Sequence, residues 1–281
     1  MSILSSTFKQ MLAANAVPPP GTARVRAPVA ADPPNPLLDV FIRNSGRMIH
    51  KWLHYFEIYH RTFERYRGRP ITFLEIGIEN GGSARMWRDY FGPQARIIGV
   101  DVNPNCKALE EDGFEVWIGD QGDPAFWSQF LKQHPAVDVV LDDGGHTMRQ
   151  QVVTFEALFG AVSDGGTYLC EDTHTSYMRL YEGGLRAPNT FHEHVKGLID
   201  EMHAWYYAPL AELAEGAYMA KNIQSICVYD SVVVIEKRLK NPPMALARGY
   251  ESHAPSPHGL TYLDLRRATG VPDTGAPDLG D

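Results

Sequence analysis

The chain has 281 residues, 44% of them hydrophobic and 11% aromatic, enough to fill one sizeable core with appendages. Its formal net charge of -8 and pI near 5.8 exclude a general affinity for phosphate backbones, which rests on clustered Lys and Arg, so nucleic acid is not an expected partner. Cys106, Cys170 and Cys227 are scattered and lack a CxxC spacing, which argues against a disulfide framework or zinc site and fits a reducing, cytoplasmic setting; no apolar run is long enough to cross a bilayer.

Residues 1 to about 36 read as a flexible leader, because "VPPPG" and "DPPNP" prevent regular hydrogen bonding. The stretch has no acid before Asp32, and a transit-peptide reading stays open beside it. From Leu37 to about Arg67, "LLDVFIRNSGRMIHKWLHYFEIYHRTFERYRG" predicts two helices broken near Asn44 to Gly46, with Trp52, Tyr55, Phe56, Tyr59 and Phe63 on one side. An alternation follows: "ITFLEIG" as strand, "GGSARMWRDYF" as helix, "ARIIGVD" as strand, a short helix at "NPNCKALEED" and "FEVWIG" as strand. It continues with "DPAFWSQFLKQ" as helix, "VDVVLDD" as strand, "MRQQVVTFEALFGAV" as helix and "GGTYLCED" as strand. Strands separated by helices at this pitch imply βαβ units, hence an α/β fold with a mostly parallel sheet covered by helices on both faces. "FHEHVKGLIDEMHAWYY" reads as a further helix, and "IQSICVYD" with "SVVVIEKR" as an antiparallel hairpin at one edge. The predicted domain spans residues 37–240, and the Pro, Gly and Ala of 241–281 read as a loose tail.

The first strand exits into "GIENGGS", where Gly77, Gly81 and Gly82 allow backbone N–H groups to approach a ligand. Asp101 ends the next strand, where an acid can accept both ribose hydroxyls of a nucleoside; a capping role for the helix opening at Asn103 is the competing reading. Asp120 and Gln121 end the third strand beside an adenine edge. Glu75 and Glu79 in and around the glycine turn repel a pyrophosphate and suit a sulfonium, so S-adenosylmethionine is preferred to NAD.

Strand four delivers Asp142, Asp143 and His146, and strand five delivers Glu171 and Asp172. If those strands are neighbours, Asp143, Glu171 and Asp172 converge and need protons or a cation; hard oxygen donors suit Mg²⁺, with Mn²⁺ or Ca²⁺ as alternatives. An ion there lowers the pKa of a substrate hydroxyl, and His146 is placed to take the proton as catalytic base. His174, His192 and His194 fall near the expected mouth. Tyr177, Tyr181, Trp205, Tyr206 and Tyr207 read either as a sugar-stacking wall or as core and lid.

At "FLEIGIENGGSARMW", "GVDVNP", "GDQGD", "VDVVLDDGGH", "GGTYLCEDTHTSY" and "YDSVVVIEK" the chain resembles the class I methyltransferases of the macrocin O-methyltransferase-like group, from about Thr72 to Lys237. The resemblance implies a Rossmann-like class I fold. It also implies Mg²⁺ on Asp143, Glu171 and Asp172, and His146 as base. Around the cofactor it places Glu75, Gly77, Asp101, Asp120, Gln121 and Asp143. The implied activity is S-adenosylmethionine-dependent O-methylation of a sugar hydroxyl on a small-molecule glycoside or nucleotide sugar, in a homo-oligomer. The group usually has serine where Gly145 stands. A catechol-like phenol as acceptor, a cofactor-binding scaffold without turnover, and a hydroxylase remain as other readings.

Overall fold

Strict alternation along the strands divides the core. In the computed structural model, which describes residues 34–208 and 216–246, Phe73, Ile97, Val139, Leu141 and Leu169 lie in one buried cluster, while Leu74, Ile98, Val140, Tyr168 and Cys170 lie in another. A period of two puts successive side chains on opposite faces, so these clusters are the two sides of one sheet. The predicted leader up to residue 33 and the tail beyond residue 246 lie outside the described residues. Described residues up to Asn241 belong to one compact unit, to which the following account applies, and those from Pro242 to another.

The elements run α1 (Pro36–Ile42), α2 (Tyr55–Phe63), β1 (Thr72–Ile76), α3 (Gly82–Phe91), β2 (Arg96–Asp101) and β3 (Glu115–Ile118). Then come α4 (Pro124–Gln133), β4 (Val137–Asp142), α5 (Met148–Leu158), β5 (Val162–Cys170), α6 (Phe191–Met202), α7 (Tyr218–Asn222), β6 (Ile223–Tyr229) and β7 (Val232–Lys237). The stretch Pro104–Asp112 is a 3-10 helix, as its Pro-Asn opening and Gly113 close suggest. Helices α1 to α3 supply the aromatic cluster on one face, including Tyr55, Tyr59, Phe63, Trp87 and Phe91; α4 to α6 cover the other with Trp127, Phe130, Phe155 and Leu198.

Three predicted boundaries move. The break between the first two helices extends from residue 43 through His54, so Trp52 is not helical. Asn44 bonds locally there, accepting from Gly46 N–H and donating to the Arg47 carbonyl, which competes with helical pairing. The segment also presses on α3: a Cβ on Gly82 would stand 2.4 Å from the carbonyl oxygens of Arg47 and Met48. The helix expected to reach Val162 ends at Leu158, and the one expected to reach Tyr207 ends at Met202; each gives way to a short 3-10 turn.

The seven strands are ordered β3-β2-β1-β4-β5-β7-β6. All pairs from β3 to β5 are parallel, and β7 runs antiparallel to both β5 and β6. The sheet is mostly parallel with the antiparallel edge hairpin expected from the sequence. The order in which strands are added reverses between β1 and β4, the switch point where open α/β sheets receive ligands. The ladder continues one residue past the strand ends, since Gly77 N–H donates to Val100, Asp143 N–H to Ile76 and Glu171 N–H to Asp142. Gly77, Asp143 and Glu171 are thereby fixed side by side.

Gly77 has φ +87°, and a Cβ there would stand 2.0 Å from the Asp143 carbonyl oxygen; Gly113 has φ +82° with nothing within 4 Å. Gly113→Ala should therefore cost about 1–2 kcal/mol of backbone strain alone. Gly77→Ala should exceed about 4 kcal/mol, because backbone must also move. Urea denaturation of both variants checks the difference, and equal losses would refute the close approach.

Candidate active site

The strand tips open into a cleft of about 320 Å³. Asp101, Val102, Glu79 and Asp120 line one part, Gly77 and Gly144 are also in its wall, and Asp143, His146, Glu171 and Asp172 line the acidic part. Nearly all the predicted site residues thus border one space, but their side chains do different things.

Asp101 is engaged by backbone: its Oδ2 accepts from Glu79 N–H at 2.9 Å and its Oδ1 from Asn103 N–H at 2.8 Å. The capping reading therefore holds together with a place in the cleft wall, and each oxygen keeps a free lone pair for a hydroxyl. Asp120 bonds its own turn through Gly122 N–H.

Two residues expected around the cofactor have protein partners: Gln121 lines the cleft, whereas Glu75 does not. Gln121 is 5% exposed; its Nε2 donates to Asp142 and Thr154, and its Oε1 accepts from Gly145 N–H at 2.7 Å, so its side-chain amide supports the Gly144-Gly145 turn. Glu75 is fully buried, outside the cleft lining, and accepts from the Ser83 hydroxyl and the Trp87 indole. Strand parity explains this: Glu75 alternates with Leu74 and Ile76 and so faces α3. Burial raises its pKa against Lys51, Trp87 and Ser83, which lower it. Asp142 likewise turns inward, bonded by Gln121 and by the Tyr168 hydroxyl at 2.8 Å.

At the acidic part, Asp143, His146 and Asp172 each offer one ligand atom, all within 4.8 Å of one another. The His146 Nε2 lies 3.9 Å from Asp143 Oδ1 and 3.6 Å from Asp172 Oδ2. Two carboxylates and an imidazole facing one another suit a hard or borderline divalent cation. His146 and Asp172 both have left-handed backbone, φ +59° and +54°, as does Glu79 at +42°. Non-glycine residues adopt this region rarely, and such strain concentrates at functional sites.

Glu171, expected as a third ligand, is held elsewhere. Its Oε2 accepts from the Tyr59 hydroxyl at 2.6 Å and its Oε1 from Lys51 Nζ at 2.9 Å. Lys51 also contacts Asp143 Oδ2 and lies 4.0 Å from Glu75. Tyr55 donates to Asp172 Oδ1 at 2.6 Å. Lys51, Tyr55 and Tyr59 are thus site residues that sequence reasoning missed, the tyrosines having been read as core aromatics. The signal for them was the i, i+4 spacing that puts both phenols on one helix face.

Burial and mutual repulsion push Asp143 up to about 7, with Lys51 opposing, and Glu171 up to about 8, with Asp143 as the main charged cause. Burial works against the charge on Lys51, but Asp143, Glu171 and Glu75 outweigh it and hold the ammonium above the usual lysine range.

Of the remaining candidates, His174 contacts the Ser231 hydroxyl and lies 3.9 Å from Asp172 Oδ1, near the cluster. His192 packs beside Tyr177 and His194 beside Phe155 and Phe191, and neither is in the cleft lining. Tyr181 approaches the His146 ring at 6.5 Å, whereas Trp205 donates to the Ala220 carbonyl and Tyr206 and Tyr207 are exposed. At Gly145, where serine was the usual residue, a Cβ would stand 2.2 Å from Gln150 Oε1.

No protein-family model matches the chain. A tetracenomycin-C 3'-O-methyltransferase of Streptomyces olivaceus, acting on a 2-methoxy-rhamnosyl derivative, is 36% identical over 196 residues, covering 66% of this chain and 50% of the relative. Demethylmacrocin O-methyltransferase of Streptomyces fradiae is 32% identical over 200 residues, with 66% and 50% covered. The MycE methyltransferase of the mycinamycin pathway, solved with Mg and SAH, superposes with TM-score 0.63 at 28% identity over 79% of this chain and 57% of that one. The chain is thus similar to named O-methyltransferases, one of them acting on a rhamnosyl-tetracenomycin. It spans about half the length of these sugar O-methyltransferases. A second MycE structure, with Mg, SAH and mycinamycin VI, gives TM-score 0.59 at 30% identity over 68% and 51% of the chains.

The raised carboxylates set a pH dependence. Their ordinary values are 3.8 for Asp143 and 4.5 for Glu171, so above about pH 4 the unfolded chain releases protons that the folded chain retains. This contribution to stability is complete below that point and is lost as pH rises through 7 and 8. The melting temperature of chelator-treated protein should fall between about pH 5 and pH 8.5, and fall less in Asp143→Asn. Parallel profiles for the two proteins would refute the assignment.

Proposed function

We propose that this chain is an S-adenosylmethionine-dependent, Mg²⁺-dependent O-methyltransferase acting on a sugar hydroxyl of a glycoside or nucleotide sugar. The observation that carries the reading is a single cleft with Asp101 in one part of its wall and the Asp143, His146, Asp172 cluster in another. The homologues' sugar O-methylation supports the acceptor class.

Asp101 would accept ribose hydroxyls, and Glu79 and Asp143 give the wall the negative charge that suits a sulfonium. S-adenosylmethionine supplies the methyl group as an electrophile. Asp143 and Asp172, with Glu171 as third carboxylate, would hold a Mg²⁺ ion, which lowers the pKa of a coordinated hydroxyl. His146 Nε2, beside both aspartates, would accept the hydroxyl proton as base, and the rigid strand tips orient acceptor oxygen and methyl group in line. Gln121 supports the Gly144-Gly145 turn in the cleft wall. The same reading includes a cytoplasmic homo-oligomer. Among the described residues no helix is long and apolar enough to cross a membrane.

Isothermal titration of S-adenosylmethionine and S-adenosylhomocysteine into chelator-treated protein, with and without Mg²⁺, tests the cofactor assignment. Micromolar binding abolished in Asp101→Ala, with the fold intact by circular dichroism, is the expected result. A folded wild type that binds neither ligand would overturn the function.

His146→Ala should bind the cofactor normally yet transfer labelled methyl to sugar acceptors about 10²–10⁴-fold more slowly. Transfer to catechols but not to sugars would reassign the acceptor. Unchanged transfer in His146→Ala would remove the base.

A further inference from the structure

Lys51 lies where a divalent ion bridging Asp143 and Glu171 would have to sit. Its side chain is 3% exposed, its ammonium touches Asp143 Oδ2 and Glu171 Oε1, and Glu75 is 4.0 Å away. With Tyr59 on Oε2, both oxygens of Glu171 are engaged. Asp143 has its Oδ2 on the lysine and its Oδ1 towards His146. Two of the three carboxylates assigned to the ion therefore already share one side-chain cation.

An ammonium and a divalent cation cannot share one pair of oxygens, because like charges a few ångströms apart repel strongly in a buried site. Lysine is suited to such a place, being a compact charge on a flexible stem. Lys51 also belongs to the segment 43–54, which contains no helix or strand. Its neighbours His50 and Trp52 line the cleft, giving the withdrawn amine a polar space to enter.

We propose that Lys51 is the resident cation of the carboxylate cluster: it holds Asp143 and Glu171 when no divalent ion is bound and releases Glu171 when the ion enters, so that lysine and ion compete for the same oxygens. The proposal rests on the Mg²⁺ reading above and adds a positioning residue to it. It implies that the third ligand becomes available only by exchange.

Two measurements on the full chain test it. Reductive methylation of wild-type protein, read by mass spectrometry, should leave Lys51 unmodified in chelator and label it at least about fivefold faster in saturating Mg²⁺. Mn²⁺ binding, followed by the electron paramagnetic resonance of the free ion, should be about tenfold tighter in Lys51→Met than in wild type and weaker in Glu171→Gln. If Lys51→Met does not fold, the labelling of wild type decides alone. A lysine equally protected with and without Mg²⁺, or binding unchanged or weakened in Lys51→Met, would overturn the exchange and leave Lys51 an immobile neighbour of the ion site. Absence of Mn²⁺ binding to every protein would overturn the exchange together with the ion site, whereas equal binding to wild type and Lys51→Met overturns the exchange only.

Discussion

Crowded negative charge at the tips of two interior strands is the constraint to which the surrounding structure answers. Parallel pairing of β4 with β5, in the register Asp142 to Cys170, leaves Asp143 beside Glu171 and Asp172. Two carboxylates about 4 Å apart repel by about 4 kcal/mol at an effective dielectric near 20. A hydrogen bond from a phenol returns about 1 kcal/mol net, or about twice that to a charged acceptor. Bonds from Tyr55 and Tyr59 together offset about one such pair, but three carboxylates make more than one pair, so a cation or retained protons are required. The N-terminal elements meet this need: α2 brings the two phenols, and the segment before it lies against Gly82 with the Lys51 ammonium reaching the carboxylates. These elements complete the site as well as covering the sheet.

The same constraint explains what the sequence discloses. The sheet was legible because parallel strands buried on both faces are short apolar runs closed by Gly, Asp or Pro, and helices between them repeat that signal. Neighbouring strand tips then pointed to the convergence of Asp143, Glu171 and Asp172 with His146 beside them, and these four border one cleft. Lys51 was not legible, since it lies in a stretch whose aromatic spacing resembles a helix, and its partners Asp143 and Glu171 are 92 and 120 residues away. For Glu75 the strand tip was an incomplete guide. Lying near a strand tip fixes position along the sheet but not the face, and parity does that. Glu75 shares parity with Phe73, on the α2 and α3 side, and Asp142 shares it with Val140, on the α5 and α6 side.

Beneath the cleft lies a second tier of bonds that holds the strained backbone. Each left-handed non-glycine residue costs on the order of 1–3 kcal/mol and persists only where its surroundings over-determine it. Glu79 is fixed by its N–H on the Asp101 carboxylate. His146 and Asp172 are joined through Thr175, whose hydroxyl lies 2.9 Å from the first carbonyl and 2.8 Å from the second. One buried hydroxyl thus ties the β4 and β5 exits together. Gln121 does the same between the β3 and β4 exits, with Asp142 and Gly145 as partners. These buried polar side chains make the cleft backbone rigid.

This division separates chemistry from acceptor choice. The carboxylates and His146 sit on or just past strands, within a ladder of hydrogen bonds that continues into the site. The stretch between β5 and α6 is different in kind: it contains only short 3-10 turns, at Thr173–Tyr177 and Arg179–Tyr181, and exposes Tyr177, Leu180 and Leu185. Loops tolerate change that strands do not, so a surface meeting a variable acceptor belongs on such a stretch and the proton-transfer geometry on the sheet. Tyr181 connects the two, its ring 6.5 Å from that of His146. An acceptor resting on the exposed apolar side chains would thus be oriented by the loop, while its reacting oxygen is oriented by groups that the loop does not have to hold. On the proposed function, substitution within 177–185 would alter which hydroxyl is presented while leaving His146 in place.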